Sequence, residues 1–313
     1  MKLVITEPLG ISEAQAEALK KEYLPPEIEM VYHNTPPKDE AEKSARAKDA
    51  ELVMLANMPF KENVLQELTS LKMLSVAFTG IDHVGMDYCK AHNILVSNCS
   101  GYANEAVSEL AIGLAIGLYR KILSADRAVR EGKTRTGLLG IELSGKKFGV
   151  VGAGAIGKKT IALARAFGCD VYFYNRHETQ IEGAAYVSLD ELMQISDIIS
   201  LHVPLTADTK GLIGREEIGK MKQTAILINT ARGAVVDSQA LADALRENRI
   251  AGAGIDVFES EPPIAGDHPL LHAPNVILAP HVGFATQEAM EKRAVIAFRN
   301  VAAYLSGKPQ NVM

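Results

Sequence analysis

The sequence predicts an α/β fold built as two doubly wound parallel-sheet domains, and three observations predict it. Short apolar runs alternate with helical patterns almost from end to end, which implies parallel strands with helices layered on a sheet. One long helical pattern, from about Asn104 to Glu131, interrupts the alternation, which then restarts. The length, 313 residues, suits two domains.

Taken in order, the first half offers strand candidates at "KLVIT" (2–6), "IEMVYH" (28–33), "ELVMLA" (51–56), "KMLSVAF" (72–78) and "ILVSN" (94–98). Between the first two lies a helix over 12–23, opened by Ser12 with Gln15 three residues on, a capping box. The pattern over 104–131 reads as one helix crossing between domains. Its segment "LAIGLAIGLY" (110–119) is about half the length that spans a bilayer. It reads as a buried or interface helix, with Gly113 and Gly117 permitting close approach. The second half continues with "KKFGVVG" (146–152), "CDVYFYN" (169–175), "DIISLHV" (197–203), "TAILINT" (224–230), "AGAGIDVF" (251–258) and "NVILAP" (275–280). Ser188 with Glu191 caps a helix among them, and a last helix covers about 286–306.

Composition narrows the function classes. The chain is 47% hydrophobic and 23% charged, ordinary for a soluble globular protein. Its formal charge of -5 and lack of a basic block argue against binding nucleic acid through a positive surface. No signal peptide or membrane span is legible at the N-terminus. Cys89, Cys99 and Cys169 are scattered and odd in number, so they read as reduced thiols of a cytoplasmic protein. No metal site is expected, since no C-x-x-C pair or dense His/Cys cluster is present.

After "KKFGVV" comes "GAGAIG", a G-x-G-x-x-G at Gly152, Gly154 and Gly157. It closes a strand and opens the helical pattern "IGKKTIALARAFG", the context in which this motif binds a dinucleotide. The first glycine makes the turn, the second admits a pyrophosphate, and the third lets helix and strand pack closely. The helix N-terminus supplies N–H donors and the positive end of its dipole. The next strand ends at Asn175, where NAD-preferring sites usually carry a carboxylate for the ribose 2′-hydroxyl. Here Asn175 and Arg176 leave nothing to repel a 2′-phosphate and one cation to attract it. The expectation is NADP(H) or NAD(H), with NADP(H) favoured.

Three strand ends carry reactive side chains: Arg232 after "AILINT", Glu261 after "GIDVF", and His281 after "VILAP". In an open α/β sheet ligands bind outside the carboxyl ends of the strands, so the three can share one cleft. A guanidinium is costly to desolvate unless an anion meets it, and it can hold a carboxylate beside a carbonyl. An imidazole can give or take a proton near neutral pH, and a neighbouring carboxylate orients it and keeps it a competent acid. With a nicotinamide nearby, this is equipment for hydride transfer to or from a 2-oxo or 2-hydroxy acid. Singly, Arg232 could serve a structural carboxylate, His281 a helix cap, and Glu261 a solvated loop. His33, His83, His92, His177, His268 and His272 lack the combination of strand end and partner. His202, beside Pro204 in "LHVPLT", reads as lining the nicotinamide side.

On "GVVGAGAIGKK", "LHVPLT", "INTARGAVVD", "ALADALRENRIAGAGIDVFESEPP" and "PNVILAPHVG", the sequence resembles the D-isomer-specific 2-hydroxyacid dehydrogenases over nearly its whole length. The resemblance implies that Arg232 binds and orients the substrate, Glu261 pairs with His281, and His281 is the general acid/base. It places Thr230, Ala231 and Asp256 near the nicotinamide and Gly154, Ala155, Ile156 and Gly157 over the pyrophosphate. His202, Val203, Pro204, Arg232, His281 and Gly283 complete the cofactor set. It also implies a Rossmann-type dinucleotide-binding domain (100–284) inserted into a flavodoxin-like substrate domain (1–99 plus 285–313), and a homodimer formed through the helix over 104–131. "AFTGIDHVGMD" resembles the loop whose backbone amides receive the substrate carboxylate, at Thr79, Gly80 and Ile81. Met54 stands where phosphoglycerate dehydrogenases of this family carry an arginine, and the chain stops at Met313 with no room for a regulatory domain. Asn175 resembles the NADP(H)-using glyoxylate and hydroxypyruvate reductases. The expected reaction is therefore reduction of glyoxylate or hydroxypyruvate. A D-3-phosphoglycerate dehydrogenase and a non-enzymatic dinucleotide-sensing protein on the same fold stand as alternatives.

Overall fold

A computed structural model describes residues 1–260 and 263–313. In chain order the elements are β1 (Lys2–Ile5), α1 (Glu13–Tyr23), β2 (Glu29–Tyr32), α2 (Glu40–Ala47), β3 (Leu52–Leu55), α3 (Glu62–Leu65), β4 (Met73–Val76), α4 (Met86–Ala91) and β5 (Leu95–Ser97). There follow α5 (Asn104–Tyr119), α6 (Ile122–Arg130), β6 (Lys147–Val151), α7 (Ala155–Ala166), β7 (Asp170–Tyr174), β8 (Ala185–Tyr186), α8 (Leu189–Ile195) and β9 (Ile198–Leu201). The last are α9 (Arg215–Lys220), β10 (Ile226–Asn229), α10 (Ser238–Arg246), β11 (Gly252–Ile255), β12 (Val276–Leu278) and α11 (Gln287–Leu305). Two compact units result, one of residues 1–103 with 285–313 and the other of residues 104–284.

The first unit holds a parallel five-stranded sheet in the order β2-β1-β3-β4-β5, the flavodoxin-like doubly wound order. Strands β3 and β4 are buried at every position, as central strands covered on both faces must be. Ser12 forms the full capping box with Gln15 at the start of α1. α11 returns the chain to this sheet and packs on β4 and α1. Buried polar side chains stitch it there: Arg293 donates to Leu9 O at 3.0 Å, and Asn300 Nδ2 donates to Asn98 O at 2.8 Å. Burying such groups unpaired costs several kcal/mol, on the order of 2–7 each, so they fix one seating of the helix. Met54 is fully buried in β3 and presents nothing to a ligand.

The second unit holds a parallel seven-stranded sheet in the order β12-β11-β10-β9-β6-β7-β8. Counted from β6, this is the 3-2-1-4-5-6 order of dinucleotide-binding folds with one strand added. Strand residues alternate between two apolar layers. Phe148, Val150, Ile198, Ile226 and Ile228 pack with α5 and α7. Val151, Ile199, Leu201, Leu227 and Ile255 pack with α8, α9 and α10. The two-residue edge strand β8 carries too few residues to show a pattern and was not legible in the sequence.

The helical pattern over 104–131 is two helices, not one. The break falls at Lys121, which takes a left-handed conformation at φ 52°. The returning chain explains it: Ile141 N–H donates to Tyr119 O at 2.9 Å, taking the carbonyl that a continuing helix would need for residue 123. Gly117 does permit close approach, since a Cβ there would lie 2.8 Å from Ile277 Cδ1. A Cβ at Gly113 would meet nothing within 4 Å in this chain. Among the described residues no helix is long and apolar enough to cross a membrane.

Candidate active site

The register of the second sheet places the candidate residues along one level edge. Tyr174 pairs with Val151, Val151 with Leu201, Leu201 with Asn229, Asn229 with Ile255, and Ile255 with Leu278. The next residues of six strands, Asn175, Gly152, His202, Thr230, Asp256 and Ala279, therefore leave the sheet side by side. The order reverses between β6 and β9, where crossovers leave in opposite directions, and such a switch point is where open α/β sheets hold ligands.

The glycine loop is shaped by contact on one side and space on the other. Gly152 has φ +93°, and a Cβ on it would lie 2.8 Å from the His202 carbonyl. Gly157 packs the first turn of α7 onto that loop, its notional Cβ only 2.1 Å from Gly152 O. Gly154, the N-cap of α7, faces open space. No side chain caps the helix there, so the first-turn N–H groups, at Ala155, Ile156 and Gly157, are left for an anion.

Asn175 does something the sequence did not reveal. Its Oδ1 accepts the Ala153 N–H at 2.7 Å, so it braces the glycine loop from the neighbouring strand. Arg176 is exposed and pairs with Asp208 in the turn after β9, Nη2 to Oδ2 at 2.8 Å. His202 Nε2 shares a hydrogen bond with Ser200 Oγ at 2.9 Å. Among the described residues its buried Nδ1 has no partner, and neither has the buried Thr230 Oγ1. Burial pushes the His202 imidazole down to about 4, so the ring is neutral at physiological pH. Val203 is half-buried and Pro204 exposed beside it.

The loop after β10 is organised by Asn229, which sequence reasoning passed over. Its Oδ1 accepts the Ala231 N–H at 3.0 Å, and its Nδ2 donates to Arg232 O at 2.9 Å. An Asn at a strand end that bonds its own backbone two residues on is a turn signal, and "INTAR" carries it. Arg232 Nη1 donates to Ala231 O at 2.8 Å. Gly233 then lets the loop lie directly on a second backbone, since a Cβ there would sit 2.0 Å from Phe258 C and 2.4 Å from Glu259 N.

Asp256, expected near the nicotinamide, is nearly fully buried and takes hold of the loop that carries His281. Its carbonyl accepts the His281 N–H at 2.7 Å, and its carboxylate oxygens accept Val282 N–H and Gly283 N–H at 2.8 Å each. His281 is held at φ +54°, a left-handed conformation that costs a non-glycine residue roughly 1–3 kcal/mol. Such strain persists only where the surroundings over-determine it, and three bonds to one residue do so here. The His281 ring stands edge-on to Phe284 at 5.5 Å.

Glu261 lies outside the described residues. The segment leading to it is anchored at Glu259, whose carboxylate contacts His268 Nε2 at 2.9 Å and accepts from the Ser238 hydroxyl. Burial would raise the Glu259 carboxyl, but these two partners outweigh it and hold it below the usual carboxylate range. His268, set aside in the sequence for want of a partner, therefore has one; a spacing of nine residues through a loop gives no periodic signal. Thr79, Gly80 and Ile81 belong to the first unit, in the loop after β4, with Thr79 O accepting from Asn98 Nδ2 at 2.8 Å.

Comparison with known proteins bears on this geometry. Residues 112–283 match the family model for the NAD binding domain of D-isomer specific 2-hydroxyacid dehydrogenases. The chain is 40% identical over 283 residues to a glyoxylate reductase of Thermofilum pendens, covering 87% of this chain and 83% of the relative. It is 40% identical over 277 residues to a glycerate dehydrogenase of Methylorubrum extorquens, covering 86% and 87%. Among solved structures, an acyclic imino acid reductase (Bsp5) in complex with NADPH and D-Arg is similar at a TM-score of 0.89 and 32% identity, over 100% of both chains.

Proposed function

The chain belongs to the D-isomer-specific 2-hydroxyacid dehydrogenases, NAD(P)-dependent oxidoreductases, and from that premise we propose that it reduces glyoxylate or hydroxypyruvate, with NADP(H) favoured over NAD(H). One observation carries the proposal: six strands level in register deliver the glycine loop, His202, the Thr230–Arg232 loop and the Asp256-held His281 to a single sheet edge. The substrate identity is taken from the names of relatives at 35–40% identity, a glyoxylate reductase, a glycerate dehydrogenase and a hydroxypyruvate reductase.

The residues present fit a dinucleotide. Gly154 leaves space at an uncapped helix N-terminus, and Thr230 Oγ1 and His202 Nδ1, buried and without a partner among the described residues, are polar atoms of the kind a ligand satisfies. Gly152, Gly154, Ala155, Ile156 and Gly157 are assigned to the pyrophosphate. Asn175 and Arg176 are assigned to the adenosine ribose, and His202, Val203, Pro204, Thr230, Ala231, Asp256 and Gly283 to the nicotinamide end. Bound there, the nicotinamide supplies or accepts the hydride. Arg176 and the missing carboxylate at Asn175 support NADP(H), as does the NADPH carried by the similar imino acid reductase.

The remaining chemistry belongs to the protein. Arg232, steadied through Ala231 O, donates to the substrate carboxylate and draws electron density from the adjacent carbonyl. His281 gives its proton to the carbonyl oxygen during reduction and takes one from the hydroxyl during oxidation. Glu261 is assigned as its carboxylate partner, and Thr79, Gly80 and Ile81 as backbone donors to the substrate carboxylate. Residues 1–99 with 285–313 are assigned as the substrate domain and 100–284 as the dinucleotide domain.

A homodimer and a cytoplasmic location are part of the same reading. Ile122, Leu123, Val129, Leu139 and Ile141 are 43–89% exposed within twenty residues, apolar surface that supports the reading of an interface. Light scattering on the purified protein checks the dimer. The buried free thiols Cys89, Cys99 and Cys169 suit a reducing compartment. The reaction is tested by a panel of 2-oxo acids run with NADPH and with NADH. Turnover of glyoxylate or hydroxypyruvate, faster with NADPH, is expected; no turnover of any 2-oxo acid with either cofactor would refute the proposal.

A further inference from the structure

Arg176 follows β7 and Asp208 lies in the turn after β9, while β6 stands between these strands in the sheet. Their ion pair, at 2.8 Å, therefore reaches across the end of the strand that carries the glycine loop. Strands two places apart are separated by about 10 Å, a span the arginine side chain and the turn cover together. The turn holds its own shape. Thr206 N–H donates to Thr209 Oγ1 at 2.8 Å, the Thr209 hydroxyl donates to Pro204 O at 2.6 Å, and Lys210 N–H donates to Thr206 O at 3.0 Å. The Asp208 backbone is thus placed by the turn and not by Arg176, so its carboxylate stays within a side chain's reach of this position when the guanidinium moves away.

We propose that Asp208 sets how strongly the site discriminates NADP(H) from NAD(H), by competing with the ribose 2′-phosphate for Arg176. The inference rests on the reading of Arg176 as the cation that meets that phosphate. The two side chains are 64% and 74% exposed, and a pair held in water is worth only a few-fold in an equilibrium constant, on the order of 1.4- to 5-fold. Arg176 is therefore engaged but not locked. A phosphate monoester carries nearly two negative charges and three acceptor oxygens, enough to draw the guanidinium off a single carboxylate. NADP(H) then binds at the cost of that pair and with the Asp208 charge left facing its phosphate. NAD(H) offers a hydroxyl at the same place and leaves the pair intact. Asp208 weakens NADP(H) binding and is neutral toward NAD(H), which makes it a specificity-determining residue on a different strand from the one where cofactor preference is usually read.

The experiment measures dissociation constants by calorimetry for NADPH and NADH on the full chain, wild type and Asp208→Asn, Arg176→Gln and the double variant. Asp208→Asn should tighten NADPH by about 3- to 10-fold and hold NADH within about twofold. In the Arg176→Gln background the NADPH gain should be smaller than in wild type, since the competition for the cation is gone and only the repulsion between the Asp208 charge and the phosphate is left; an equal or larger gain there overturns the competition. Thermal melts confirm the fold, which a substitution this exposed leaves intact. Should Asp208→Asn leave NADPH affinity unchanged, or tighten both cofactors equally, the role of Asp208 is overturned while Arg176 keeps its own if Arg176→Gln selectively weakens NADPH. An Arg176→Gln variant with unaltered NADPH affinity overturns both.

Discussion

Gly233→Ala puts the placement of Arg232 to a quantitative test. A Cβ at Gly233 would lie 2.0 Å from Phe258 C and 2.3 Å from Phe258 O, where ordinary contact starts at 3.4 Å. Both obstacles are backbone, so no side chain can swing aside, and one of the two loops must retreat by about 1.4 Å. One of them carries Arg232 at the preceding position, and the other leads to Glu259 and on toward Glu261. Misplacing a substrate-orienting group by about 1 Å can cost on the order of 100-fold in rate, and overpacking typically costs about 1–3 kcal/mol of stability. The expectation is a fall of at least about 100-fold in kcat/KM for glyoxylate or hydroxypyruvate, with a lowered but cooperative thermal transition. The NADPH dissociation constant should rise by about tenfold at most, because the glycine loop sits on other strands and only Thr230 and Ala231 share the displaced loop. The chain has no tryptophan, so calorimetry reports that binding. A folded Gly233→Ala protein with kcat/KM within about threefold of wild type would refute the claim that this backbone crossing positions Arg232.

Gly154→Ala is the counterpart: its Cβ meets nothing within 4 Å, so stability should hold within about 1 kcal/mol while dinucleotide affinity drops about tenfold or more, read by calorimetry and melting. Asp256→Asn leaves one acceptor oxygen where the backbone N–H groups of Val282 and Gly283 used two, so a loss of about 1–3 kcal/mol in denaturant unfolding is expected, with kcat falling further than NADPH affinity as the strained His281 relaxes; unchanged stability would remove Asp256 from this role. His202, neutral in the folded chain with its imidazole lowered to about 4, binds a proton more readily when unfolded. The sign follows: its burial carries no penalty above the ordinary value near 6.5, and stability drains as pH falls from there toward 4, by up to about 3 kcal/mol. His202→Asn should flatten that acid limb in urea titrations at pH 7.5 and 5, and an identical slope in both proteins would contradict the assignment.

Much of this architecture could be read from residue order because its signals are local. Each strand run bounded by helical periodicity became a strand, and "GAGAIG" took the strand–turn–helix context its chemistry needs. Ser12 with Gln15 made its capping box from adjacent residues. What escaped the sequence depends on partners far along the chain. The break at Lys121 is caused by Ile141, twenty residues on, and no proline or glycine at 120–122 announces it. Asn175 was read for the carboxylate it lacks, yet its side chain braces Ala153 on the neighbouring strand. Arg176 and Asp208 are 32 residues apart and meet across the end of β6 only because the sheet order puts β7 and β9 on either side of it. Glu259 and His268 are joined by a loop without periodicity. Arg232 and His281 stand just past the strand ends where the sequence read them; Asn229 carried a turn signal in "INTAR", while the contact of Gly233 with Phe258 and the hold of Asp256 on residues 281–283 show only in the geometry.

The most direct test of the account is Arg232→Ala, assayed in one preparation for NADPH binding by calorimetry and for steady-state reduction of glyoxylate and hydroxypyruvate. The account predicts a dissociation constant within about threefold of wild type and kcat/KM lower by at least about 1,000-fold, the cost of losing a charge-assisted anchor and its carbonyl polarisation. Near-wild-type turnover by a folded, cofactor-binding Arg232→Ala protein would contradict it.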